Sequence, residues 1–188
     1  MLRERIGEGT PPHDATLEDA LREVPASRLP VASSFNRDAE TRLRRTRGHN
    51  YPDWVALRFG RPGPFPDGVA FPETHEQAAE ALAAAKRAGA SVIPYGGGTS
   101  VAGHLNVPGE GPPVVSISFE RMNRLLHLDE ASWLARFGAG TAGPALESQL
   151  KERGYVLGHF PQSWECSTVG GWVVTRSSGQ QSLRYGRV

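Results

Sequence analysis

Three consecutive glycines near the middle of the chain are the first residues whose types and spacing suggest a chemistry. Glycines let the backbone turn sharply and approach a bulky ligand, because no Cβ stands in the way. Successive N–H groups in such a turn form a nest that binds anionic oxygens. The string predicts a site for an anionic group such as a pyrophosphate. We call it the glycine loop; it follows the apolar run SVIPY and consists of Pro94, Tyr95, Gly96, Gly97, Gly98, Thr99 and Ser100.

The glycine spacing excludes the two best-known nucleotide loops. No lysine follows the glycines, as the Walker phosphate loop requires. The spacing also differs from GxGxxG, and the next residues, VAGHLNVPGEG, do not read as a helix. A plain structural turn stays open as the alternative. If the loop binds phosphate, a Cβ at Gly97 is expected to meet the phosphate oxygens or to force a positive φ.

Two further strings, rich in small and hydroxyl side chains, lie near the end of the chain. Ser167 or Thr168 is expected to cap a helix, and a helix start is a favourable place for an anion. The alternative is a capped helix with its exit loop and no ligand. The second segment consists of Pro161, Gln162, Ser163, Trp164, Glu165, Cys166, Ser167 and Thr168. The third segment consists of Thr175, Arg176, Ser177 and Ser178.

Alternating strands and helices are expected to position these strings. Between the first two predicted strands, an alanine-rich helix begins with a capping box from Thr74 to Gln77 and ends at Gly89. A strand, a helix and a strand in this order predict parallel strands with a right-handed crossover. The predicted strands of this part are VAFP (69–72), SVIPY (91–95) and VVSIS (114–118).

The second half of the chain repeats this style without repeating the sequence. LLHLD (125–129) and SWLARFG (132–138) are expected to form adjacent strands joined by a tight polar turn. Thr141 is expected to cap the helix AGPALESQLKERG, with Pro144 in its first turn and Gly154 at its end.

The N-terminal third of the chain has a different pattern. We predict a helical and linker extension over residues 1–66 and an α/β domain over residues 67–188, separated at the breaker GRPGPFPDG. Within the extension, residues 15–24 have apolar side chains at helical spacing, with Asp14 as a plausible cap. Residues 38–47, rich in arginine, are a second predicted helix.

Composition excludes several classes of function. The 188 residues carry 21 Lys+Arg against 20 Asp+Glu, a net charge of +1 that argues against a nucleic-acid or anionic-membrane binder. One cysteine excludes an intrachain disulfide framework and any multi-cysteine metal site, so no metal is expected. No apolar run approaches the ~18 residues of a membrane span, and the N-terminus lacks a secretory signal. A cytoplasmic location is therefore expected.

The glycine loop, the string STVGGWVxTRxSG and the terminal RYG together resemble the FAD-binding domain of vanillyl-alcohol-oxidase-type flavoproteins, also called PCMH-type. IPYGGGTSV resembles the pyrophosphate loop of that family, and GHFPQSWECSTVGGWVVTRSSG resembles its second flavin segment. LRRTRGHNYPDWVALRFG is similar to the stretch before the flavin domain in one branch, that of alkyldihydroxyacetonephosphate synthase and its bacterial relatives. The resemblance runs from about residue 38 to residue 188.

The resemblance implies an α/β (α+β) fold in which two α/β subdomains hold FAD between them. It places the pyrophosphate at the glycine loop and the ribityl chain and isoalloxazine along the second segment. The third segment would complete the cradle. In the family, a last flavin-binding stretch, the substrate domain and the catalytic Tyr and His lie C-terminal to anything present here. The resemblance therefore implies a truncated domain, and the catalytic residues stay unknown.

By the same resemblance, the chain is the FAD-binding domain of a flavin-dependent synthase that performs ether-lipid-type alkyl-for-acyl exchange or a related oxidoreduction. The expected substrate is a small molecule with a phosphate or carboxylate, and a homodimer is one expectation for the full-length enzyme. An FAD-linked 2-hydroxy-acid dehydrogenase of the D-lactate or glycolate type is one alternative. A truncated, non-catalytic FAD-binding fragment is the other. The 188-residue chain alone is expected to be inactive.

The resemblance also bears on how FAD is attached. Some members of the superfamily tether FAD through a histidine in the glycine loop and a cysteine before the TVG string. Cys166 stands in the second position, but Thr99 stands in the first. We therefore expect non-covalent FAD and a buried, inert Cys166 thiol. His104 is expected to be a solvent-exposed loop residue, and His159 a polar loop residue.

Overall fold

The computed structural model describes residues 4, 5, 7, 9 and 14–188. Before the first strand, the described chain contains three short helices, namely α1 (Leu17–Arg22), α2 (Ala39–Leu43) and α3 (Tyr51–Arg58). Helix α2 is shorter than the predicted stretch 38–47. Each helix is preceded by a side chain that accepts a hydrogen bond from the backbone N–H three residues on; these are Thr16, Asp38 and Asn50.

One prediction for the N-terminal region is wrong, and one helix there was missed. Asp14 does not cap α1, because Thr16 stands directly before the helix and forms a reciprocal capping box with Asp19. The carboxylate of Asp14 instead pairs with Arg58. Helix α3 was not predicted, although Asn50 begins it with a second capping box. Its eight residues are too few for a clear apolar periodicity.

A three-stranded parallel sheet forms the centre of the fold. Its strands are β1 (Gly68–Ala70), β2 (Ser91–Tyr95) and β3 (Val114–Ser118), in the spatial order β1-β3-β2. Helix α4 (His75–Arg87) connects β1 to β2 and ends before Gly89, which has a positive φ of 62°. The predicted parallel pairing is confirmed, and β3 lies between the two strands that α4 connects. All five residues of β3 are buried.

The rest of the chain forms a β-hairpin with helices packed against it. The hairpin, β4 (Leu125–Asp129) and β5 (Leu134–Phe137), is antiparallel, as predicted. Three helices follow, α5 (Gly143–Lys151), α6 (Val169–Thr175) and α7 (Ser182–Tyr185). Leu146 and Leu150 of α5 and Trp172 of α6 form a buried cluster, against which Leu128 and Phe137 of the hairpin pack. The predicted mixed α/β fold is therefore confirmed.

Two predicted helix caps differ from those observed. Thr74 accepts a hydrogen bond from the Gln77 backbone N–H at 3.2 Å, as predicted, but the Gln77 side chain accepts from the N–H of Glu73. In a capping box the Gln77 side chain would accept from the N–H of Thr74 itself. The second hydrogen bond of the box is therefore displaced by one residue. Thr141 does not cap α5, because its hydroxyl donates to the carbonyl of Gly138 at 2.8 Å.

The N-terminal residues pack directly on the sheet. Asn36 exchanges backbone hydrogen bonds of 2.9 and 2.8 Å with Val69 of β1. Arg28 pairs with Asp67 at 2.7 Å. Burial alone would raise the pKa of Asp67, but hydrogen bonds from Arg28 and from the Val114 N–H hold it below its ordinary value. The predicted boundary at residue 66 stays a prediction, and these contacts cross it.

One core cluster joins Leu29, Phe35, Ala85, Val115 and Ile117.

Within the described residues, no helix is long and apolar enough to cross a membrane. Over the same part of the chain, no group of three or more His, Cys, Asp and Glu side chains is arranged to hold a metal ion.

Candidate functional site

The glycine loop lies directly against the second segment. A Cβ at Gly97 would overlap the carbonyl oxygen of Cys166 and lie 3.1 Å from the Cα of Ser167. A Cβ at Gly96 would overlap the hydroxyl of Thr168. Backbones approach this closely only where side chains are absent. The fold thus brings together two strings that are far apart in sequence, in the arrangement that a shared ligand site requires.

The position of β2 determines where the glycine loop begins. Tyr95, the last residue of β2, pairs in register with Ser118, the last residue of β3. Both strands therefore end at the same edge of the sheet, which is where ligands of open α/β sheets bind. Pro94, within β2, is exposed, whereas Thr99 and Ser100, beyond the edge, are half-buried.

The expected reason for the central glycine needs correction. The residue with positive φ is Gly98, at 72°, rather than Gly97. At Gly97 the space for a Cβ is filled by the backbone of Cys166. The glycine is therefore required by contact between two parts of the protein, whether or not a phosphate is also bound there.

The second segment begins as a compact turn. The Ser163 carbonyl accepts hydrogen bonds from the backbone N–H groups of Cys166 and Ser167, at 3.0 and 2.8 Å. The Pro161 carbonyl accepts from the N–H of Trp164 at 3.0 Å. The expectation of a buried Cys166 is wrong, because the turn directs its side chain outward. The exposed residues of the segment are Gln162, Glu165 and Cys166.

The end of the second segment contains unpaired buried polar atoms. Thr168 occupies the position before α6, but its side chain makes no capping hydrogen bond, and its buried Oγ1 has no partner among the residues that the structure describes. The Trp164 indole N–H is also buried and unpaired. Ser167 does not cap α6 either, because its hydroxyl accepts from the Trp172 indole N–H at 2.7 Å. Buried polar groups are normally paired, so the Thr168 hydroxyl fits the binding of a polar ligand beside Gly96, whereas the Trp164 indole lies against Gly143 at the start of α5.

The third segment ends α6 and turns back towards the second segment. The Thr175 hydroxyl donates to the Gly171 carbonyl at 2.7 Å within the helix. Arg176 has a left-handed backbone, with φ of 52°, and its side chain is exposed. The Ser177 N–H donates to the Trp172 carbonyl at 2.9 Å. Ser178 is exposed. The hydroxyl of Thr175 is thus engaged by its own helix.

His159 connects the third segment to the packed side of α6. It is a polar residue in a loop, as expected, but it is only 4% exposed. Its Nε2 lies 3.1 Å from the Ser177 hydroxyl, and its ring packs edge-on to Trp172 at 4.9 Å. Burial lowers the pKa of His159 below its ordinary value, which favours the neutral imidazole. His104, by contrast, is exposed as expected, with its Nδ1 3.2 Å from the Ser100 hydroxyl.

Sequence reasoning missed the contacts between the N-terminal region and the glycine loop. The Tyr95 hydroxyl donates to the Arg44 carbonyl at 3.1 Å. The His49 backbone N–H donates to the Ser100 carbonyl at 2.7 Å. The only available signal was the glycine of the string RGHN, which is too common a feature to indicate a loop contact.

These features define an FAD-binding domain. Residues 66–188 match the family model described as FAD binding domain, and the chain belongs to this family. FAD is accordingly the cofactor of the domain, and the predicted resemblance is confirmed.

Several relatives of the chain are alkyldihydroxyacetonephosphate synthases. The chain is 37% identical to the synthase of Caenorhabditis elegans over 156 residues, which are 82% of this chain and 26% of the relative. It is 38% identical to the synthase of Trypanosoma brucei brucei over 153 residues, 80% of this chain and 25% of the relative. The chain thus spans about a quarter of the length of these relatives.

A solved structure of alkyldihydroxyacetonephosphate synthase in a P1 crystal superposes on the whole chain. Its TM-score is 0.85 and its sequence identity 29%, over 38% of the length of that structure. This chain is therefore an FAD-binding domain that resembles the corresponding part of alkyldihydroxyacetonephosphate synthase.

Proposed function

We propose that this chain holds FAD non-covalently between the glycine loop, the second segment and the third segment. The observation that supports this best is the buried, unpaired hydroxyl of Thr168 beside Gly96. A polar group buried without a partner costs free energy unless a ligand satisfies it.

The three segments would have different roles in holding FAD. The backbone N–H groups of the glycine loop, with Thr99 and Ser100, would bind the pyrophosphate. The second segment would line the ribityl chain and isoalloxazine, with Thr168 donating its hydroxyl. Because the hydroxyls of Thr175 and Ser177 already have partners within the protein, we assign the third segment's contribution to the exposed Ser178 and Arg176. A bound flavin would supply electron-accepting chemistry that the protein itself lacks.

We infer that the full enzyme acts like its synthase relatives on a small substrate with a phosphate or carboxylate group. Two synthases at 37 and 38% identity support this inference. We further propose that the full-length enzyme is located in the cytoplasm and forms a homodimer.

A 2-hydroxy-acid dehydrogenase is the second candidate function. A mitochondrial D-lactate dehydrogenase (cytochrome) of Arabidopsis thaliana is 30% identical over 121 residues, which are 64% of this chain and 20% of the relative. Turnover of D-lactate or glycolate by the full enzyme, without any on glycerone-phosphate esters, would favour this candidate.

The test of FAD binding compares two buried threonines. Thr168→Val removes a hydroxyl that has no partner in the protein, so the FAD-free protein should lose no stability. FAD affinity should fall by about twofold to tenfold, because a hydrogen bond to an uncharged group contributes about 0.5–1.5 kcal/mol. The measurements are flavin fluorescence titration and thermal melts with and without FAD.

Thr141→Val is the matched control. Thr141 is fully buried, and its hydroxyl donates to the Gly138 carbonyl at 2.8 Å. This variant should lose about 1 kcal/mol of stability in the FAD-free protein and keep its FAD affinity. Unchanged FAD affinity in Thr168→Val would remove this hydroxyl from the binding site.

A further inference from the structure

A short N-terminal segment, residues 44–49, contacts both ends of the glycine loop. At the start of the loop, the Tyr95 hydroxyl donates to the Arg44 carbonyl at 3.1 Å. At its end, the Ser100 carbonyl accepts the His49 N–H at 2.7 Å. We call residues 44–49 the bracing segment. In these two hydrogen bonds to the loop the segment contributes backbone atoms, so its backbone position determines whether the bonds form.

Gly48 allows the bracing segment to approach the loop. A Cβ at Gly48 would overlap the carbonyl oxygen of Ser100 and lie 3.4 Å from its Cβ. The same carbonyl accepts the hydrogen bond from His49. Any side chain at position 48 would therefore push the end of the glycine loop away from the segment.

Arg45 holds the start of the glycine loop from the same segment. Its guanidinium lies 5.7 Å from the ring centroid of Tyr95 and 5.2 Å from that of Phe71, within the range of cation–π attraction. It also pairs with Glu120, to which the Ser118 hydroxyl donates at 3.3 Å. Arg45 thus contacts β2 directly and β3 through Glu120, at the edge where the two strands end.

Burial affects the tyrosine that joins the segment to the loop. It raises the pKa of Tyr95 above its ordinary value, and this effect outweighs the opposing influence of Arg45. The phenol therefore keeps its proton at neutral pH and remains a donor to the Arg44 carbonyl.

We propose that the bracing segment is a positioning element for FAD binding, which preorders the glycine loop from outside the domain that carries it. The inference rests on the proposed function. A loop with three glycines loses more conformational freedom on ordering than a loop of the same length without glycine. Tethering both of its ends in the free protein removes part of that loss from the binding step, which strengthens binding.

The first experiment uses Gly48→Ala in the full chain. Position 48 carries no side chain in the natural protein, so a loss of FAD affinity there cannot be the loss of a direct side-chain contact. We expect the FAD dissociation constant to rise about tenfold, and the FAD-induced rise in Tm to shrink accordingly. The control is Gly109→Ala, where the nearest atom to the added Cβ is the Pro64 Cγ at 3.8 Å.

The second experiment uses Arg45→Met and keeps the test informative if Gly48→Ala does not fold. Its control is Arg87→Met, which removes an exposed ion pair with Glu80 on α4. We expect Arg45→Met to weaken FAD binding severalfold and Arg87→Met to leave it unchanged. Flavin fluorescence titrations and melts with and without FAD are the readouts for all four variants.

The outcomes distinguish the two proposals. If the wild type does not bind FAD, the proposed function fails, and the inference fails with it. If the wild type binds FAD, but Gly48→Ala and Arg45→Met lower the Tm equally with and without FAD at an unchanged dissociation constant, only the inference is overturned. The segment is then structural support without influence on the loop.

Discussion

Gly97 and Cys166 are in backbone contact, so close that a Cβ on the glycine would overlap the carbonyl oxygen of the cysteine. This contact joins the glycine loop to the second segment before any ligand is considered. It also changes what a substitution at Gly97 can reveal, because the side chain would first meet protein rather than phosphate.

The first prediction concerns Gly97→Ala. The added methyl group must displace the Cys166 carbonyl, and overpacking of this kind typically costs about 1–3 kcal/mol. We expect a lower Tm both with and without FAD, and weaker FAD binding because the two segments separate. Gly109→Ala, which introduces only an ordinary van der Waals contact, should behave as the wild type. An unchanged Tm in FAD-free Gly97→Ala would contradict the backbone contact.

The second prediction is that FAD is released from the full enzyme by acid denaturation. The thiol of Cys166 is exposed. In the glycine loop, Thr99 stands at the position where the tethering members of the superfamily have a histidine. After precipitation in acid, the yellow colour should stay in the supernatant. Cys166→Ala should retain FAD as well as the wild type does. Flavin that precipitates with the protein and is lost in Cys166→Ala would show a covalent bond.

The third prediction concerns pH and His159. Its pKa is lowered in the folded protein by burial, whereas the unfolded chain titrates near the ordinary value of about 6.5. As the pH falls through this value, the unfolded chain binds a proton that the folded protein does not, so the free energy of unfolding decreases. Above about pH 7.5, where both forms are neutral, the residue contributes no pH dependence.

Urea unfolding of the FAD-free protein between about pH 5.5 and 7.5 checks this third prediction. His159→Gln should have a shallower pH slope than the wild type. Ser177→Ala is the control: it removes the hydrogen bond at 3.1 Å but keeps the burial, so it should keep the wild-type slope. Equal slopes in His159→Gln and the wild type would exclude His159 as the titrating group.

The fourth prediction is that the 188-residue chain alone has no measurable turnover. It spans about a quarter of the length of its synthase relatives, and the substrate pocket and catalytic residues are proposed to lie outside it. Assays with glycerone-phosphate esters, and with D-lactate or glycolate and a dye acceptor, should give background rates. Turnover equal to that of a full-length relative would contradict this prediction.

The helix and strand positions were largely predictable because their signals are local. The alanine-rich α4 was recognised from its helix-forming residues and from Gly89, and the strand at β2 from a short apolar run. Exact caps were less predictable. Thr16 and Asp14 are both good capping residues, and only the observed helix start distinguishes them.

The exposure of single residues could not be predicted in the same way. Cys166 was expected to be buried and is exposed, whereas His159 was expected in a polar loop and is buried. Both lie in irregular segments without a repeating pattern. In such segments the exposure of a side chain depends on turns and on distant neighbours such as Trp172.

The sequence by itself indicated the class of cofactor, because its glycine and hydroxyl strings resemble those of a known flavoprotein family. It also determined the parallel strands, because a strand, a helix and a strand in succession have few ways to pack. Only the tertiary structure decided why Gly97 must be glycine and that Thr168 keeps an unpaired hydroxyl. It alone also revealed the contacts of Gly48 and His49 with Ser100. These properties arise from contacts between residues far apart in the chain, and such contacts leave no periodic pattern in the sequence.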